Sequence, residues 1–162
     1  MNSLTRVDLG HCSLALPHNT FATIENISDA VPDKSDAGSY WQLQRGQHHW
    51  ALLALDQDMQ PQALLPSQHR LALCLKHLPV ALSCLRIETL QQPQITPLPA
   101  MMKKSGSLIQ GLILDAGSVV LLVDPAALSQ RLQQQLESGL LQTAFELSTT
   151  AERMSCNVLP GA

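Results

Sequence analysis

The chain has 162 residues, of which 45% are hydrophobic and 14% charged, and its formal net charge is −3. That composition can fill the core of one compact domain, or of two small lobes sharing a core, without a metal or disulfide staple. It lacks the basic footprint that neutralises phosphates or holds a protein on anionic lipid, which excludes nucleic acid and membrane surfaces as expected partners.

At the N-terminus, Met1 to Asp8 has neither a basic n-region nor an apolar core of signal-peptide length, and residues 1–9 read as a lead-in. No later stretch reaches the roughly 18 to 20 apolar residues of a spanning helix. The expectation is a soluble, cytoplasmic protein. Cys12 to Leu16 and Thr20 to Glu25 carry β-type patterning around Pro17-His18-Asn19, whose residues favour a turn, and read as an opening hairpin. Ile27 to Gly38 reads as a solvated connection. Tyr40 to Leu43 and Trp50 to Leu55 are strand candidates around Arg45-Gly46-Gln47-His48-His49, followed by a polar loop through Met59-Gln60-Pro61.

Arg70 to Lys76 and Val80 to Leu85 are aliphatic runs separated by the short turn His77-Leu78-Pro79, a second hairpin, and Arg86 to Leu90 continues with the alternation of a half-solvated strand. Gln92 to Pro99 reads as a proline-rich linker. Leu108 to Leu114 and Val119 to Val123 flank Asp115-Ala116-Gly117-Ser118, a hairpin with turn chemistry. Asp124-Pro125 then supplies an N-cap acceptor and a proline at the first helical position, and Leu128, Leu132 and Leu136 recur at helical spacing, predicting a helix to near Gly139. Leu140 to Leu147 reads as a kinked extension and the last fifteen residues as a loose tail. The sum is a mainly β domain over residues 10–140 built from small barrels with one late helix, and a C-terminal extension over residues 141–162.

The chemistry of an enzyme is sparse. No G-x-G-x-x-G, Walker loop, G-x-S-x-G elbow or H-E-x-x-H occurs, and no cofactor is expected. His48-His49 is the best metal candidate, but neighbours on a strand point to opposite faces. Cys84 lies in an aliphatic run with only Arg86 near it, and a packing cysteine is the simpler reading, as it is for Cys12, Cys74 and Cys156. Asp29, Asp33 and Asp36 lack the tight alternating spacing of a calcium loop. What stands out is Tyr40, Trp41 and Trp50 around Arg45, the residue types that dominate interface hot spots, with core packing as the alternative for each tryptophan.

Taken in order, Leu16-Pro17, Arg45-Gly46, Leu52-Leu53-Ala54-Leu55, Pro97-Leu98-Pro99, Gly111-Leu112-Ile113 and Val119-Val120-Leu121-Leu122-Val123-Asp124 followed by Leu128 resemble the CheW-like domain family over about residues 10 to 136. Two positions depart from the family pattern: Ala54 replaces its aspartate, and the turn Gln47-His48-His49 is longer. The resemblance implies two intertwined five-stranded β-barrels with a C-terminal helix across them. It also implies a non-enzymatic adaptor that couples a methyl-accepting chemoreceptor to a CheA-type histidine kinase in a chemosensory array at the cell pole, serving flagellar or type IV pilus (twitching) motility. Arg45, close to the family's receptor contact, is then the first functional residue, with Gly46, Trp41 and Trp50 beside it. Two alternatives remain open: an anchoring module that has lost one partner, for which Ala54 is the signal, and a small metal-dependent enzyme using His48, His49 and Cys84.

Overall fold

The computed structural model describes residues 3–32, 41–102 and 107–138. Among these residues, thirteen strands form two curled sheets, followed by one helix. The first sheet runs β10 (Arg86–Leu90), β1 (Leu4–Asp8), β2 (Ser13–Pro17), β13 (Ser118–Val123), β12 (Ile109–Asp115), β11 (Ile95–Pro97). The second runs β3 (Phe21–Asn26), β8 (Leu71–Leu75), β9 (Val80–Cys84), β6 (His48–Leu55), β5 (Trp41–Arg45), β4 (Val31–Pro32), with β7 (Pro61–Gln62) paired to β6. The two sheets share one plan, three antiparallel strands joined to three more through a single parallel pair, β2 with β13 and β6 with β9. The ends of the chain build the first sheet and its middle builds the second.

Burial explains why the central strands read as continuous apolar runs. Along β6, Trp50 and Leu52 enter one hydrophobic cluster while Leu53 and Leu55 enter another, and β8 divides Ala72 and Cys74 from Leu73 and Leu75 in the same way. A strand covered on both faces has no polar side to alternate with. The largest cluster joins both sheets through Leu14, Leu16, Leu73, Leu82 and Val123 and takes in Leu128 and Leu132 of the helix α1, residues 125–138. Each sheet also closes on a smaller cluster of its own, Leu43, Trp50 and Leu52 in the second and Ala15, Ile113 and Val120 in the first.

The hairpins at β8–β9 and β12–β13 stand as expected, the latter turning through Ala116 and Gly117. Gly111 of β12 pairs with Pro97 of the neighbouring β11, and a Cβ there would meet the Thr96 carbonyl oxygen at 2.9 Å. α1 starts where its cap predicts: the Ala126 N–H donates to Asp124 Oδ1 at 3.2 Å and the Leu128 N–H to the Asp124 carbonyl at 3.0 Å. Asp124→Ala should therefore cost about 1 kcal/mol in denaturant unfolding, and an unchanged midpoint would mean that the cap contributes nothing.

Four expectations are corrected. Residues 4–8, read as part of a lead-in, form β1 between β2 and β10. The opening pair is no hairpin: Pro17 leads into a single 3-10 turn, His18–Thr20, that carries the chain from β2 in one sheet to β3 in the other. The proline-rich linker contains β11, an edge strand where a proline leaves no inner ladder position unfilled. The sheets hold six and seven strands, not five each, because two- and three-residue strands at their margins carry no sequence pattern of their own. Among the described residues, no helix is long and apolar enough to cross a membrane. The expected extension over Leu140 to Leu147, the tail, Tyr40 and Cys156 lie outside the described residues.

Candidate functional site

Alternation along β5 decides what the candidate residues can do. Trp41, Leu43 and Arg45 project from one face, and across the ladder Leu43 pairs with Trp50 and Arg45 with His48. The five-residue loop expected from Arg45 to His49 is instead the two residues Gly46 and Gln47, so that His48 and His49 belong to β6. Gly46 takes φ +60°, the left-handed backbone that a two-residue turn with glycine first requires. Gly46 thus shapes the hairpin that presents Arg45.

Arg45 closes the second sheet. Its Nε and Nη2 donate to Glu25 Oε2 at 2.9 and 2.7 Å, and Nη2 also reaches Asp29 Oδ2 at 3.2 Å. Glu25 lies on β3, the opposite edge strand, and three strands intervene between β3 and β5. In a flat sheet the two would stand roughly 19 Å apart; the ion pair therefore spans the mouth of a sheet curled almost into a barrel. Glu25 retains 13% of its side-chain exposure and Arg45 56%, so the arginine lies as a cap over the carboxylate. Its hydrogen bond and charge hold the Glu25 carboxyl below its ordinary value, against a smaller opposing effect of burial.

The two tryptophans part company. Trp50, expected at the surface, is 7% exposed; it packs on Leu43 and Leu52, its indole N–H donates to the Leu75 carbonyl at 3.3 Å, and its ring stacks on His48 at 5.7 Å. Core packing governs it because its alternation partner Leu52 points into the second cluster. Trp41, at the other end of β5 from Arg45, is 45% exposed and lines a groove of about 600 Å³ with Ile27, Ala30, Leu64, Leu65 and His69. Arg45 is therefore not flanked by two exposed rings. It sits between two carboxylates, one strand length from a single one.

The other chemical candidates separate as well. Successive positions on β6 send His48 and His49 to opposite faces, and among the described residues no three His, Cys, Asp or Glu side chains converge on a metal position. Cys84 is buried and its thiol is pushed up to about 12, first by burial and then by the charge of Asp8; Cys74 is raised to about 12 chiefly by burial. Burial thus disfavours the thiolate form at both positions. Arg86, expected beside Cys84, turns away into the first sheet, where it faces Glu88 at 3.8 Å. Ala54 is fully buried. Asp29 serves Arg45, while Asp33 and Asp36 lie outside the described residues.

Sequence reasoning missed Glu25, which looked like one polar position in a strand, and His69, which carries no motif. His69 is 7% exposed and bonded at both ring nitrogens, to the Leu9 carbonyl at 2.9 Å and to Ser83 Oγ at 2.7 Å. Models of known protein families give no match to this chain, and neither do the curated proteins compared with it.

Proposed function

We propose that the protein is a non-enzymatic adaptor of the CheW-like kind, coupling a chemoreceptor to a CheA-type histidine kinase in a cytoplasmic chemosensory array. The reading rests on the ordered segments from Leu16-Pro17 to Leu128 and is supported by two curled sheets that share a core under a C-terminal helix. The observation that carries it to a site is Arg45 of the Arg45-Gly46 pair, exposed at the surface yet held in one orientation by Glu25 and Asp29. An ordered guanidinium is a better recognition element than a free one, because its rotamer entropy is already spent.

Capture experiments with a CheA-type kinase and a chemoreceptor from the same cells test the proposal. Both should bind wild-type protein with dissociation constants below about 100 μM, the range of weak array contacts. Failure of both removes the adaptor reading. Binding of only one would favour an anchoring module, the reading that the uncharged, buried Ala54 supports.

A further inference from the structure

We infer that two copies of the chain associate along β10, antiparallel and centred on Ile87, so that Arg86 of each copy meets Glu88 of the partner subunit. This goes beyond the adaptor reading and does not rest on it, because β10 lies in the first sheet and Arg45 in the second.

β10 ends the first sheet: among the described residues, β1 pairs with one side of it and no strand pairs with the other. A strand in that position carries a row of backbone donors and acceptors that another chain can complete. Leu90 is buried in the first sheet's own cluster with Ile113, so the open half of β10 is Arg86 to Glu88, whose two charged side chains are 66% and 51% exposed. Both border a cavity of about 250 Å³ shared with Arg6, Asp8 and Ser118. Their contact with each other, at 3.8 Å, is beyond hydrogen-bond reach and leaves each able to bond another group.

The order of charges selects the occupant. Within the chain, register sets Asp8 opposite Arg86 and Arg6 opposite Glu88. Arg86 and Glu88, two positions apart, share one face of the strand, and Ile87 between them belongs to the other. A two-fold axis through Ile87, perpendicular to the sheet, continues the pattern into a second copy: across four strands one row reads Asp8, Arg86, the partner's Glu88, the partner's Arg6, with the signs alternating, and the axis generates the second row. Cross-strand neighbours of opposite sign attract and like signs repel. Moving the axis to Arg86 or to Glu88 would set two like charges directly opposite each other, so charge fixes the register as well as the partner. A row of one sign, which guards many exposed edges, would hold a second copy away; an alternating row admits it.

Sedimentation velocity on the full chain, from about 10 μM to about 1 mM, tests the inference. Wild-type protein should show a monomer–dimer equilibrium that weakens as salt rises. Arg86→Glu and Glu88→Arg should each weaken self-association at least about tenfold, because each variant sets like charges opposite one another in both intermolecular pairs. Mixed in equal amounts, the two variants should form a heterodimer tighter than either homodimer, since one copy then brings two carboxylates to the strand and the other two guanidinium groups. Melting curves establish that each variant is folded. The inference is overturned if wild-type protein stays monomeric throughout, if either single variant self-associates as wild type does, or if the mixture associates no more than the separate variants. Kinase and receptor capture is measured on the same proteins. Capture by a monomeric wild type would remove only the dimer, and a dimer that captures neither partner would remove only the adaptor reading.

Discussion

Exchanging the charges of Arg45 and Glu25 together should restore most of what either single reversal destroys. Arg45→Glu places a third carboxylate beside Glu25 and Asp29, and Glu25→Arg sets two guanidinium groups against each other across the sheet mouth. Each single variant should melt at a lower temperature, with faster amide exchange in β3 and β5, and should capture receptor at least about tenfold more weakly. The double variant re-forms the pair with its polarity reversed, and only the contact of position 45 with Asp29 stays unfavourable. Capture distinguishes two roles for Arg45. If it acts by closing the lobe, the double variant recovers binding; if its guanidinium touches the partner, stability recovers and binding does not. If Arg45→Glu melts like wild type, the pair is no clasp. The stability gain is modest and salt-sensitive because Arg45 is half exposed. Its pH dependence has a definite sign. Glu25 has a folded value depressed below 4.5, so its contribution is complete above that value and disappears as pH falls through the lower folded one. The difference in melting temperature between wild type and Arg45→Gln should therefore hold from neutral pH to about 4.5 and close in stronger acid.

The parts of the fold visible in the sequence are those set by neighbouring residues. Asp115-Ala116-Gly117-Ser118 specifies a tight turn, His77-Leu78-Pro79 is too short for anything else, and Asp124-Pro125 begins a helix whose leucines recur every four residues, close to the helical period. What was hidden is set by partners far along the chain. β1 is recognisable as a strand only because β2 and β10 lie on either side of it, and β10 is some eighty residues away. The mixed β2–β13 and β6–β9 junctions leave no trace in local alternation, because two-sided burial erases it. Short edge strands such as β4 and β11 exist by virtue of the sheet they join.

The candidate site follows the same division. The turn at Gly46 is local, set by a glycine at positive φ between two paired strands. Trp41 and Trp50 look equivalent in sequence, yet one is exposed and the other buried, because register pairs Trp50 with Leu43 over a closed cluster while Trp41 stands at the strand's open end. Reading a five-residue loop hid that register. Glu25 could have been found only by knowing that the sheet curls until β3 meets β5.

His69 shows the largest single effect expected on stability. A backbone carbonyl can only accept, so Nε2 carries the proton donated to Leu9, and Nδ1 then accepts from the Ser83 hydroxyl. Leu9 follows β1 in the first sheet and Ser83 lies on β9 in the second, so one buried ring ties the two sheets together. His69→Ala leaves both partners unsatisfied and opens a cavity, and should cost about 3 kcal/mol in denaturant unfolding. His69→Phe fills the space without the hydrogen bonds and should still cost about 2 kcal/mol. Ser83→Ala alone should cost about 1 kcal/mol, and a His69/Ser83 double-mutant cycle should show a coupling of about 1 kcal/mol. A phenylalanine variant as stable as wild type would reduce His69 to a space-filler.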